Sequence, residues 1–178
     1  CTSIDFMPQI SLDNKELEVV DEIRLLGLAL RSDMKWSSNT ENMVNKENKR
    51  LWILRRLKSL GARRSDPMDI YIKQIRSVLE LAVPAWHAGI TQMERMDIER
   101  VQKSAAYIIL GEDYVSYRDG LKCLGIDSLF ERREELCLKF ALKAEKNHKF
   151  GKWFRPAVHL QNTRQEKLKY CSVLTRHS

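Results

Sequence analysis

The apolar positions change period part-way along the chain, and the change falls near Trp36. In 9–30, QISLDNKELEVVDEIRLLGLAL, short runs of Ile, Leu and Val flank the turn signal Asp13-Asn14-Lys15. Runs of this kind bounded by Asn and Asp read as strands. A hairpin is therefore expected, followed by a further strand from Ile23 to Leu30. Ser32-Asp33 then turns the chain. After Trp36 the apolar residues recur at helical spacing. A first helix is expected from about Thr40 to Leu60, stopped by Gly61. A second opens at the N-cap Asp66 with Pro67 at its first position, and carries Tyr71, Ile75, Val78, Leu79 and Ala82 until Pro84 ends or kinks it. A third opens on the capping box Thr91-x-x-Glu94 and runs through Ile98, Val101, Ala105, Ile108 and Ile109 to Gly111. A short helix from about Ser116 carries Leu121 and Leu124 and stops at Gly125. A fifth opens on a second box, Ser128-x-x-Glu131, and carries Leu136, Cys137, Phe140, Ala141 and Ala144. Past Phe150 the period fades and a flexible tail is expected. The expected fold class is mainly α, a helical bundle with a small N-terminal antiparallel β element.

Composition narrows the classes. A chain of 178 residues, 43% hydrophobic and 31% charged, holds a packed core and makes one domain, or about one and a half. No apolar run reaches the ~18 residues of a membrane span. The start, CTSIDFMPQI, lacks the regions of a signal peptide. An intracellular protein is expected, nuclear or cytoplasmic, not secreted and not on a membrane. The chain also lacks an initiator Met, as though cut from something longer.

The residues that carry chemistry are sparse. Cys1, Cys123, Cys137 and Cys171 form no CxxC pair, which argues against a zinc site or disulfide framework. Cys123 and Cys137 fall on helical stripes and are expected in the core. His159, Cys171 and His177 lack a fourth ligand and a regular spacing, so no metal site is expected. His87 follows Pro84 and Trp86 without a nucleophile or acid beside it, and reads as a residue of a helix junction. Asp97 and Glu99 do not share a helix face, and the run Glu131 to Glu135 reads as a solvated one. No Gly-rich phosphate loop and no Ser-His-Asp order occurs, so no small-molecule substrate is expected.

Charge is distributed unevenly. Residues 1–45 hold four basic and eight acidic residues, 46–76 ten and three, 77–150 eleven and twelve, and 151–178 six and one. An excess confined to one helix-loop-helix and the tail is the footprint of a phosphate-backbone binder, or else a solvated helix face. At about 100° per residue, Met43, Leu51, Ile53, Leu54, Leu57 and Leu60 share one broad arc of the first helix. Lys49, Trp52, Arg55 and Arg56 share the opposite arc. Trp52 among cations either stacks on a base or sugar or packs against another element under arginines. Arg55, Arg56, Lys58, Arg63 and Arg64 are candidate phosphate contacts, with Lys49, Arg50, Lys73 and Arg76 at the flanks.

Several segments, in order, resemble one family. Ile23-Arg24-Leu25-Leu26-Gly27-Leu28 is similar to the LG-containing strand that closes the palm in non-LTR (LINE-type, jockey-like) retrotransposon reverse transcriptases. Met34-Lys35-Trp36 resembles the turn after it, and Arg50 to Leu57 the basic first helix of the thumb. Tyr71, Ile75, Arg76, Val78, Leu79, Glu80, Pro84 and Trp86 follow the family's next pattern, although Leu81 stands where the family often has Tyr. Glu99 to Lys103, Ile108 to Gly111, Leu124-Gly125, Leu129 and Glu131 to Arg133 resemble the segments after that. The likeness spans about residues 9 to 155. It implies a palm end over 1–36, with Leu25, Leu26 and Gly27 like a primer grip. It implies a basic helical thumb-like domain over 37–111, a helical extension over 112–150 and a basic tail over 151–178. The implied role is a grip on an RNA–DNA or RNA template-primer duplex, beside the rest of the reverse transcriptase. Polymerase chemistry needs paired aspartates holding two metal ions, and this sequence has no Asp-Asp pair. Mg would be held by the palm, outside this chain, and the chain alone is expected to be inactive. The alternatives are a stand-alone nucleic-acid-binding helical module and the inactive product of a decayed element.

Overall fold

The computed structural model describes residues 10–147, 149 and 151. It is mainly helical, with two small antiparallel hairpins near the N-terminus. Strand β1 (Ser11–Leu12) pairs with β2 (Lys15–Glu16), Leu12 opposite Lys15. Asp13 and Asn14 both take positive φ, 52° and 61°, as a two-residue hairpin turn of right-handed twist requires.

The single strand expected from Ile23 to Leu30 is instead a second hairpin. Strand β3 (Glu22–Leu25) pairs with β4 (Leu28–Arg31), Ile23 opposite Leu30. The chain reverses at Leu26 and Gly27, with φ of 49° and 89°. Only Gly27 marks this turn in the sequence, because glycine carries no Cβ to clash at positive φ. The hairpin meets the helices through β4. Ala29 is buried, and its backbone N–H donates to Asn39 Oδ1 at 3.1 Å.

Helix α1 (Ser37–Ser59) starts three residues earlier than expected and ends before Gly61, which takes φ 74°. Met43, Leu51 and Leu54 are buried, Ile53 and Leu57 half-buried, and Leu60 lies exposed past the helix end. Next, α2 (Ser65–Ile70) runs on through a π-helical stretch, Tyr71–Arg76, into α3 (Ser77–Leu79). Asp66 is inside this helix rather than capping it. Its carboxylate accepts from the Arg63 backbone N–H at 3.1 Å.

Tyr71, Ile75 and Leu79 form the buried stripe, but the helix ends at Leu79 and does not reach Pro84. Ala82 is exposed, in the left-handed region at φ 49°. Pro84 opens the next helix, α4 (Val83–Trp86), in its first turn, where a missing N–H costs nothing. Trp86 is fully buried and its indole N–H donates to Leu81 O at 2.7 Å.

Helix α5 (Gln92–Leu110) forms the expected Thr91–Glu94 capping box and packs on α1. Helices α6 (Tyr117–Leu124) and α7 (Leu129–Lys146) follow, α7 opening on the Ser128–Glu131 box. One core joins Leu51, Leu54, Tyr71, Ile75, Trp86, Ile98, Val101 and Leu129. Beyond the first turns of α7 the apolar stripe is only partly covered: Leu136 and Cys137 touch the core, while Phe140 is exposed. Cys123 is exposed as well, so it is not the core residue expected. Apart from Gly151, the tail expected over 151–178 lies outside the described residues, as do Cys1, His159, Cys171 and His177. Among the described residues no helix is long and apolar enough to cross a membrane.

The charged run at the start of α7 is not simply a solvated face. Arg132 donates to both oxygens of Glu80, at 2.9 and 3.1 Å. Arg133 is fully buried, and its guanidinium nitrogens have no hydrogen-bond partner among the described residues. Packing of α7 on α4 turns these two positions inward, while Glu131, Glu134 and Glu135 stay exposed or half-exposed. Beside Arg133, His87 is buried at the helix junction. Burial pushes its pKa down to about 4, and the charges of Arg133 and Arg95 add to the effect.

Two expected outcomes follow from this packing. His87 is neutral when folded and binds its proton near pH 6.5 when unfolded, so its contribution is intact above that pH. It is lost as pH falls towards about 4, by up to about 3 kcal/mol. Urea unfolding between about pH 7 and about pH 4.5 measures the loss, and His87→Gln should flatten it. Arg132→Ala leaves the half-buried Glu80 with only Arg76 at 3.6 Å, and should cost about 2 kcal/mol. Arg132→Lys should recover less than half, because it cannot make the bidentate pair.

Candidate nucleic-acid interface

The basic excess is built on one helix. Over 46–60 the only acid is Glu47, and the fold buries it completely. Burial raises the Glu47 pKa, against the opposing charge of Arg50. The outer face of α1 is therefore free of acids along its C-terminal half. Lys49, Arg55 and Arg56 lie there, exposed and with no side-chain partner among the described residues. Trp52 stands between them, 61% exposed. Arg63, in the loop after α1, has no side-chain partner among the described residues either.

The structure gives the other sequence candidates internal partners. Arg50 donates to Glu47 Oε1 and to Gln74 O, both at 3.0 Å, which ties α1 to the π-helical stretch. Arg76 pairs with Glu80 at 3.6 Å, both side chains largely covered. Lys58 turns back to donate to Ile108 O at 2.9 Å. It caps the C-terminal end of α5, where a cation suits the exposed carbonyls. Its chain lies across Gly111, where a Cβ would meet Lys58 Nζ at 1.9 Å. Arg64, in the α1–α2 loop, pairs with Asp113 just after α5 and reaches Cys123 Sγ at 3.9 Å. Lys73 pairs with Asp69 at 2.6 Å on an exposed face. A charge count along the sequence does not separate these residues from the free ones, because the acids they meet are distant in the chain or on another turn.

Leu25, Leu26 and Gly27, which the resemblance likens to a primer grip, form the tip of the second hairpin. Leu26 is 91% exposed. The tip stands beside the end of α3, where a Cβ at Gly27 would lie 3.4 Å from Leu81 Cδ2. Leu81 thus lies close to the hairpin turn.

A cleft runs between α1 and α5, about 400 Å³ in volume and lined by Arg55, Arg100, Lys103, Ser104, Tyr107, Ile108 and Tyr114. A second hollow of about 420 Å³ shares Arg55, Tyr107 and Ile108 and continues to Lys58, Ser59 and Gly111. No acid lines either one. Arg100 is paired with Asp97 on the exposed side of α5. Lys103 has no partner among the described residues. Neither Arg100 nor Lys103 carries a binding role in the sequence pattern above. A signal is nonetheless present: Arg100, Lys103 and Tyr107 lie at i, i+3 and i+7, off the apolar stripe of α5. What the sequence does not show is that this row faces Arg55.

No family model, no curated protein and no solved structure matches the chain. Among the described residues no group of three or more His, Cys, Asp or Glu side chains is placed to hold a metal ion.

The division of the cations leads to a direct expectation. Arg50→Ala strands Glu47 inside the bundle and should cost about 2–3 kcal/mol of stability. Glu47→Gln in that background should restore part of it. Lys49→Ala and Arg56→Ala should leave the unfolding free energy within about 0.5 kcal/mol of wild type. Denaturation curves of the four variants check the sorting.

Proposed function

We propose that the chain is the palm end and thumb of a non-LTR retrotransposon reverse transcriptase, gripping a template-primer duplex by its backbone. The sequence resemblance supplies the family, and one observation supports the grip. The outer face of α1 holds Lys49, Arg55 and Arg56, unpaired among the described residues, around an exposed Trp52, with no exposed acid over 46–60. Unpaired cations on one helix face suit phosphates, which demand charge and spacing but no base reading. An RNA–DNA hybrid is recognised in the same way, by backbone and groove shape.

The N-terminal hairpins add support. Ile10, Leu12, Leu17, Val19, Val20, Ile23 and Leu25 are all exposed. Apolar surface of that extent on two-stranded ribbons calls for a covering partner. In the proposed setting that partner is the rest of the palm, which would also hold Mg and the catalytic aspartates. The projecting Leu26–Gly27 tip would then approach the primer, while α1 holds the duplex behind it. The chain by itself would bind and not polymerise.

The test is affinity for a labelled RNA–DNA hybrid across a salt series. Changing Lys49, Arg55, Arg56 and Arg63 together to Ala should weaken binding at low salt. It should also flatten the plot of log affinity against log salt by about 0.9 for each phosphate that the variant no longer neutralises. Binding without sequence preference is expected. An unchanged slope in that variant, or a wild-type chain that is folded and does not bind, would sink the proposal.

A further inference from the structure

We propose that the cleft between α1 and α5 is a seat for an unpaired nucleotide, whose base stacks on Tyr107 while its flanking phosphates meet Arg55 and Lys103. The inference rests on the nucleic-acid reading of α1 and adds a second mode of contact to it. Tyr107 is 61% exposed although it lies at the wall of a concave, acid-free site. Its ring meets that of Tyr114 at nearly a right angle, centroids 5.4 Å apart at 81°. That T-shaped contact helps to fix the ring, and its 61% exposure leaves surface free for a partner. Ile108, buried beneath, forms an apolar floor, and Ser104 offers a hydroxyl at the rim. The volume of about 400 Å³ lies within the range of small-ligand pockets.

The chemistry separates this site from the grip on α1. In a duplex each base face is covered by its stacked neighbour, so a duplex interior offers phosphates to a protein and no free π-face. An unpaired base offers both, and aromatic rings between cations are how proteins hold single strands. Lys103 and Arg55 line the cleft from different helices, which places positive charge on both of its walls. A single strand leaving the gripped duplex would meet this arrangement, since Arg55 belongs to both surfaces.

The experiment uses the full 178-residue chain and two ligands, a blunt RNA–DNA hybrid and the same hybrid with a short unpaired extension carrying 2-aminopurine. The extension should tighten binding about tenfold, as stacking of one base does, and the 2-aminopurine fluorescence should be quenched on binding. Tyr107→Ala should abolish both the gain and the quenching while blunt-hybrid affinity stays at wild type. Tyr107→Phe should keep both, and an unchanged melting temperature in each variant shows that the fold is intact. Blunt-hybrid binding with no gain from the extension, or a gain that survives Tyr107→Ala, would overturn the cleft and leave the duplex grip standing. No binding of either ligand would overturn the grip and the cleft together.

Discussion

The bundle depends on polar side chains of α5 that are drawn inside it. Gln102 is fully buried, accepting from the Tyr71 hydroxyl at 2.6 Å and donating to Asp127 O at 2.8 Å. One turn earlier, Glu99 accepts from the Tyr117 hydroxyl and from the Leu129 backbone N–H. A buried polar group costs roughly 1–3 kcal/mol when unpaired and far less when its bonds are met. These two residues therefore fix where the π-helical stretch, α6 and the start of α7 sit relative to α5. Burial, reinforced by the bond to Glu99, pushes the Tyr117 hydroxyl pKa well above its usual value, and burial does the same for Tyr71. Both stay protonated donors across the physiological range.

Holding α5 in place is what makes the surface. Lys58 reaches from α1 to the last carbonyls of α5, so the two helices keep a fixed separation at their C-terminal ends. Between them the cleft opens with Arg55 on one wall and Arg100, Lys103 and Tyr107 on the other. The residues that build the frame and those left free on its surface come from the same basic stretch. In α1 they alternate within one turn: Arg50 is inward and bonded, Lys49 outward and free. The +7 net charge is thus a sum over two populations, only one of which a ligand would meet.

Local signals mark most of the helices. Two capping boxes, at Thr91 and Ser128, and the glycines at 61, 111 and 125 mark ends that the structure keeps. Such signals are legible because each is closed by bonds within a few residues. The turn at Leu26–Gly27 is hidden because an apolar run without polar punctuation reads as one strand. Arg133 is hidden for a different reason. Nothing nearby in sequence announces that α7 lies against α4, and only that contact buries the guanidinium. The cleft wall on α5 is not legible along the chain because its partner, Arg55, lies some 50 positions away on α1.

By itself the sequence determined that the chain is mainly helical, where most of the helices begin and end, and which helix concentrates the positive charge. Those properties follow from period, capping and composition, all of them local. The tertiary structure alone decided which cations are free. Among the described residues Lys58, Arg64 and Arg76 are engaged in internal bonds, and the side chains of Lys49, Arg55, Arg56 and Arg63 are not. It also decided that Tyr107 and Arg55 share a cleft. The physical reason is the same in each case: pairing and concavity are set by how helices distant in the chain come together around Gln102 and Glu99, and hydrophobic period along one helix carries no information about which neighbour its outer face will meet.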